Sequence, residues 1–199
     1  MRYISKTEKN MSRETIKKVV NKVKEFHPLE TEFQEVIDEN FNDLLCLTDM
    51  PKIYTSYYSA PHLRELRGKV TCISISLYPP KGWVEKGGLH YYPLCPSPEI
   101  FEHVKSTGDQ KTYVKELLEQ FDNYDARFVY DALMEMSGGK PVILLCYESP
   151  IPTVGNYIFC HRQIVSQWFG VNLGIVVPEL TRKHVSDLLR KFDGEESLF

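Results

Sequence analysis

Residues 141–148, with the sequence PVILLCYE, decide the fold class of this chain. The apolar run 142–145 has the length of one strand and lacks the polar alternation of a half-exposed strand. Gly138 and Gly139 precede it and are typical of a helix end. Such a run predicts a strand buried on both faces, as in the middle of a parallel sheet.

The flanking sequence alternates between helical and strand patterns. Strands are predicted at 52–56, at 70–77, where apolar and small residues alternate, and at 175–177, with a short one near 90–92. Helices are predicted at about 98–105, over 113–121, after Asp125, from about Cys160 and after Thr181. A buried strand followed by a crossover helix and another apolar strand is a βαβ pattern. The sequence therefore predicts an α/β fold, a three-layer sandwich with a mostly parallel sheet.

The first fifty residues have a different pattern. Ser12 is placed to cap one helix, and the sequence TEFQ at 31–34 has the form of a capping box for a second. Pro51 ends this region. We therefore predict that residues 1–50 are an N-terminal helical extension packed on the core, and that residues 51–199 are the α/β domain.

Composition restricts the class of protein. Of 199 residues, 42% are hydrophobic and 26% are charged, which is typical of globular proteins rather than disordered ones. The net charge of −3 does not support nucleic acid as a partner. The start of the chain has no signal-like apolar region, and no apolar run approaches the length of a membrane span. These features predict a cytoplasmic protein without a membrane partner.

The five cysteines are scattered, without a CxxC pair. A chain with a core of this size has little need of disulfides, so we predict that all five thiols are free.

The candidate functional site follows from the predicted topology. The strand over 142–145 ends in Cys146-Tyr147-Glu148, and the next helix opens with Cys160-His161-Arg162. Ligands of parallel α/β sheets bind at the carboxyl ends of the strands, where these two segments should meet. We predict catalytic roles for Glu148, Cys160 and His161, with a lowered pKa for Cys160 at the helix start. Cys146, Tyr147 and Arg162 are predicted to bind ligand, Arg162 by holding an anion.

A purely structural alternative stands beside this hypothesis. A cysteine at the end of an apolar strand is often a small core residue, and Glu148 and Arg162 are suited to a structural ion pair. From local chemistry alone, the two interpretations have similar weight.

These two segments resemble the family called domain of unknown function 488. The resemblance is carried by LLCYE at 144–148, by FCHR at 159–162 and by VSQW at 165–168. IYTSYYS at 53–59 resembles the family's first strand and turn, and VVPE at 176–179 resembles its closing strand. The resemblance covers roughly residues 52–180 and implies an α/β fold with a polar pocket, but no settled reaction.

This chain departs from the family pattern at two places. The family's second strand usually carries an Asp-Val-Arg-like sequence, whereas residues 72–76 here read CISIS and lack both charges. The loop between Glu148 and Cys160 is also long. A site that needs that aspartate and arginine would be altered here.

Metal binding is the competing chemistry. Cys146, Glu148, Cys160 and His161 are zinc ligands by type. Their spacing fits no common zinc pattern, however, and the adjacent residues Cys160 and His161 would rarely both reach one ion. The sequence therefore predicts no bound metal and no cofactor.

Aromatic residues form a second candidate feature. Tyr57 and Tyr58 lie just past the carboxyl end of the strand predicted at 52–56, so we predict that they contact the ligand. Most of the other aromatic residues nearby are expected to pack between sheet and loops: Tyr54, Tyr78, Trp83, Tyr91 and Tyr92.

Together these residues predict a protein that binds or acts on a small anionic, for example nucleotide-like, ligand. The pocket would be formed by the strand end at Cys146 and the helix start at Cys160. The alternative is a non-catalytic ligand-binding or protein-interaction module, for example one associated with DNA-handling proteins. The missing Asp-Val-Arg charges favour this alternative somewhat.

Overall fold

The computed structural model describes residues 51–148 and 160–196. Within them lies a four-stranded parallel sheet in the order β1-β4-β2-β3. The strands are β1 (Ile53–Tyr57), β2 (Thr71–Ser74), β3 (Leu89–His90) and β4 (Val142–Cys146). The helices are α1 (Pro98–Thr107), α2 (Gln110–Phe121), α3 (Ala126–Met136), α4 (His161–Leu173) and α5 (Arg182–Glu196), with 3-10 turns at Pro61–Arg64 and Tyr92–Leu94.

The central strand β4 is buried along its whole length, as its apolar run predicts. Val142 and Leu144 pack into one apolar cluster with α1 to α4, whereas Ile143 and Leu145 pack into a second cluster with α5. Full burial of one such side chain stabilises the fold by about 1.5–3 kcal/mol. Because successive residues of a strand point to opposite faces, helices must cover both sides. The α/β prediction of three layers is therefore confirmed.

The helix boundaries follow from local capping. Asp125 accepts a hydrogen bond from the backbone N–H of Phe128 at the start of α3, and Ser97 accepts one from Ile100 at the start of α1. Gly108 ends α1 with a φ of 68°, in the left-handed region that favours glycine. These helices lie close to where the sequence predicts them.

The prediction of a strand at 175–177 is wrong. This segment is not a strand, and its pairing with the sheet is a single bridge between Thr55 and Glu179. Thr55 donates its N–H to the Pro178 carbonyl, and Leu180 donates its N–H to Thr55. Because Pro178 has no backbone N–H, it cannot donate a hydrogen bond to a neighbouring strand. This is consistent with a short pairing at the edge of the sheet.

Two sequence predictions lie outside the described residues. These are the helical extension over 1–50, which includes Cys46, and the long loop between Glu148 and Cys160. Within the described parts of the chain, none of the helices has the length and apolar character needed to cross a bilayer.

The strand order places a crevice between β4 and β2. After β2 the chain moves outward to β3, whereas after β4 it crosses through α4 to the edge beside β1. The connections therefore leave the carboxyl ends of β4 and β2 in opposite directions. Such a topological switch point is where open α/β sheets bind their ligands.

Candidate functional site

A cavity of about 220 Å³ opens at this switch point. Its floor is polar and its walls are mainly apolar. The floor consists of Ser76 after β2, Cys146 and Glu148 at the end of β4, and Cys160 and His161 at the start of α4. The walls come from the loop after β2, from Pro96 and from the first two helices: Leu77, Tyr78, Pro96, Phe101, Val104, Gln110 and Tyr113, with Tyr147 after β4.

Cys146 lies at the centre of the floor. Its Sγ atom is 3.0 Å from Oε2 of Glu148 and 3.4 Å from Nδ1 of His161. The hydroxyl of Ser76 donates to the same sulfur over 3.5 Å. One sulfur atom thus contacts a carboxylate, an imidazole and a hydroxyl.

His161 is held by the backbone of Ile75, the residue that directly follows β2. Its Nε2 is 2.7 Å from the carbonyl oxygen of Ile75. A carbonyl only accepts, so Nε2 carries the proton, and in the neutral ring Nδ1 has a free lone pair directed toward Cys146. Burial alone would lower the pKa of His161, but Cys160, the Ile75 carbonyl and Glu148 together raise it.

Cys160 occupies the N-cap position of α4 with extended backbone angles, φ −132° and ψ 138°. Its side chain does not cap the helix. Its sulfur lies instead within 4.8 Å of the Cys146 sulfur and of a ring nitrogen of His161. Burial, followed by the contacts with Cys146, raises the pKa of Cys160 well above its ordinary value. The predicted lowering of this pKa is wrong because burial outweighs the helix start and the imidazole.

Glu148 is partly buried beside the two thiols. Burial raises the pKa of Glu148, but hydrogen bonds from Cys160 and Cys146 outweigh that effect, so the pKa lies below its ordinary value. A carboxylate is therefore present at the cavity floor at neutral pH.

Arg162 does not line the cavity, contrary to its predicted role in holding an anion. The residue is 1% exposed. Its Nε donates to Glu179 over 2.9 Å, and its NH1 donates to the backbone carbonyl of Glu148 over 2.6 Å. The expected contact with Glu148 is thus made to its main chain rather than to its carboxylate. As the second residue of α4, Arg162 points behind the floor, where Glu179 neutralises it.

The two tyrosines at the end of β1, Tyr57 in the strand and Tyr58 directly after it, do not line the cavity. Tyr57 is buried and Tyr58 is half-buried, and neither is among the lining residues. Tyr58 contacts a residue of the cavity floor. Its hydroxyl is 2.6 Å from Ser74 Oγ and donates to Ser76 Oγ over 3.2 Å. It also packs edge-on against Tyr147, with ring centroids 5.0 Å apart. Tyr58 therefore supports the floor through Ser76.

Sequence reasoning missed several wall residues. Tyr113 begins the helix predicted over 113–121; it is buried, and it lines the cavity. Burial first, and then the proximity of Cys160, Cys146 and Glu148, raises the pKa of Tyr113. Phe101 and Val104 on α1 line the opposite wall. No local signal separates a wall residue from a core residue on an amphipathic helix.

Of the eight predicted site residues, Cys146, Tyr147, Glu148, Cys160 and His161 meet at one cavity, and Arg162, Tyr57 and Tyr58 lie behind or beside it. The four described cysteines, which are Cys72, Cys95, Cys146 and Cys160, are free thiols.

Comparisons of the chain with protein-family models, with curated proteins and with solved structures gave no match. The resemblance to domain of unknown function 488 therefore stays a prediction from the motifs at 144–148 and 159–162.

Proposed function

We propose that the protein is an enzyme that acts on a small neutral molecule, with the Glu148 carboxylate as the general base. The observation that carries this proposal is a carboxylate at the polar floor of a mainly apolar cavity, next to two thiols and an imidazole. Acid–base groups are effective when they are positioned within hydrogen-bond reach of a bound substrate. Two contacts hold Glu148 in position. Its carboxylate hydrogen bonds with the Cys146 thiol, and its backbone carbonyl accepts a hydrogen bond from Arg162.

The walls favour a substrate with an aromatic or aliphatic body. Tyr78 and Phe101 contact each other edge-on, with centroids 6.0 Å apart, and Val104 completes that side. The cavity volume of about 220 Å³ is below the ~300–1,000 Å³ of drug-sized pockets. A single-ring molecule suits this volume better than a nucleotide does.

The charges of the described residues favour a neutral ligand over the anionic one that the sequence predicts. The guanidinium of Arg162 is sealed away and paired with Glu179. The carboxylate of Glu148 remains at the floor and repels anions. Like charges brought together in a partly desolvated site cost several kcal/mol.

Benzamide and benzoate form a matched pair of probes for this proposal, because they share a ring and differ in charge. We expect calorimetry to show benzamide binding roughly tenfold or more tightly than benzoate. Glu148→Gln should reduce this preference by removing the repulsion. Glu135→Gln, an exposed glutamate that is not among the cavity residues, is the control and should keep the preference.

Two outcomes would overturn the proposal. Tighter binding of benzoate than of benzamide by the natural protein would support the anionic ligand that the sequence predicts. An unchanged preference for benzamide over benzoate in Glu148→Gln, together with an absence of Glu148-dependent turnover of phenyl acetate, would favour the non-catalytic ligand-binding alternative.

A further inference from the structure

The side chains of Cys146, Cys160 and His161 form a buried cluster at the cavity floor. Each offers one metal-ligating atom, and these three atoms all lie within 4.8 Å of one another. Two sulfurs and one imidazole nitrogen are the donor types of zinc sites, whereas magnesium and calcium prefer oxygen donors.

The backbone explains how two adjacent residues reach one point. Cys160 has an extended conformation at the N-cap, whereas His161 begins the helix. The change from extended to helical backbone between them turns both side chains toward Cys146. The sequence-based objection to this pair as joint ligands therefore does not hold for this geometry.

His161 is oriented in the way that metal-bound histidines are. These residues usually donate the second ring N–H to a carbonyl or carboxylate, which fixes the tautomer and the ring. Nε2 of His161 does so to Ile75 over 2.7 Å, which leaves Nδ1 facing the cluster.

The cluster is placed for a site with an open position. Catalytic zinc sites use three protein ligands and leave a fourth position for water or substrate. All three cluster residues line the cavity, and Glu148 Oε2 lies 3.0 Å from Cys146 Sγ. A ligand in the fourth position would therefore lie in the cavity beside a carboxylate.

We propose that Cys146, Cys160 and His161 bind one Zn²⁺ ion, whose fourth position opens into the cavity next to Glu148. On binding, both thiols lose their protons to solvent and become thiolates, so the two negative charges balance the ion. Zinc binding itself does not depend on the proposed function. Only the role of the open position, where zinc would lower the pKa of a bound water that Glu148 then orients, rests on it.

The test begins with zinc stoichiometry. The full chain is stripped with a chelator, equilibrated with Zn²⁺ and desalted, and zinc is counted by elemental analysis. We expect one ion per chain in the natural protein and in Cys72→Ser, a free thiol outside the cluster. Cys146→Ser and Cys160→Ser should lose the ion. Absence of zinc from the natural protein, or its retention by both cluster variants, would overturn the inference.

X-ray absorption of the zinc-loaded natural protein covers the case in which a cluster variant does not fold. We expect two sulfur neighbours at about 2.3 Å and one nitrogen at about 2.0–2.1 Å. A shell of oxygen atoms alone would contradict the site.

Glu148→Gln separates this inference from the proposed function. If the variant keeps its zinc and binds benzamide and benzoate as the natural protein does, the proposed function fails and the zinc site stands. If the natural protein holds no zinc but its preference for benzamide depends on Glu148, the zinc site alone fails.

Discussion

Arg162 Nε donates a 2.9 Å hydrogen bond to Glu179, and the same guanidinium bonds the main chain of Glu148 over 2.6 Å. Glu179 also accepts from Thr55 on β1 over 2.8 Å. One buried side chain therefore ties together the start of α4, the end of β4 and the edge segment beside β1. Its permanent charge is compensated inside the fold and is not offered to a ligand.

Replacing Arg162 by Lys should therefore lower stability. Lysine keeps the charge but cannot make both hydrogen bonds in the same plane. We expect the free energy of unfolding to fall by about 1–3 kcal/mol, as measured by denaturant titration. Benzamide affinity of the folded variant should change little.

Arg182→Lys is the matched control for that experiment. Arg182 pairs with Glu65 at 2.7 Å, but on the surface, so its replacement should cost less than about 1 kcal/mol. Equal losses of unfolding free energy in the two variants would contradict the structural role of Arg162. A loss of anion binding in Arg162→Lys alone would indicate that Arg162 binds ligand.

The raised pKa of the buried Tyr54 hydroxyl predicts that the protein loses stability at high pH. Burial, followed by the charge of Asp187, raises the pKa of Tyr54 to about 12 from an ordinary 10.0. The unfolded chain ionises this group first, so its contribution is complete below pH 10 and declines by about 2–3 kcal/mol between pH 10 and 12. Tyr54→Phe should reduce this decline in unfolding titrations.

The same variant has a second readout at neutral pH. The Tyr54 hydroxyl is buried and has no hydrogen-bond partner within residues 51–148 and 160–196. Removing it should leave stability unchanged or slightly higher. A loss of more than about 1 kcal/mol at pH 7 would mean that the hydroxyl has a stabilising contact.

Val104→Trp tests the cavity by filling it. Val104 lines the wall from α1 and is only partly buried, so a larger side chain can enter the cavity without displacing the core. We expect benzamide affinity to fall at least about tenfold, with a small change in melting temperature. Val84→Trp, at a position that is 54% exposed, is the control and should bind normally. Equal affinity in both variants would place the ligand elsewhere.

Thiol labelling gives a further prediction for the zinc site. Cys146 and Cys160 are buried, so iodoacetamide reaches them only when the fold opens transiently. Zinc should slow their labelling further, because coordinated thiolates must first release the ion. Peptide mapping with and without chelator identifies them. Protection of Cys72 to the same extent would indicate a global change in stability instead of a metal site.

Local sequence was sufficient for the strands and helices whose own side chains determine them. The uninterrupted apolar run at 142–145 predicts a central strand, and β4 is indeed paired on both sides. The N-cap residues Ser97 and Asp125 mark helix starts by their own hydrogen bonds. The meeting of Cys146 with Cys160 follows from a strand end and a helix start at one sheet edge.

The remaining features depend on contacts that are distant in sequence. Arg162 pairs with Glu179 only because the segment around Pro178 returns to the edge of β1. Tyr113 reaches the floor only because α2 packs over the switch point. Aromatic residues on one amphipathic helix can differ in their surroundings: Tyr113 lines the cavity, and Phe121 is not among its residues.

A crystal structure of the protein with bound benzamide tests the central claim most directly. The account predicts that the amide lies within hydrogen-bonding distance of the Glu148 carboxylate, with the ring between Tyr78, Phe101 and Val104. Benzamide bound outside this cavity, or a ligand whose polar group contacts Arg162 and leaves Glu148 unengaged, would contradict it.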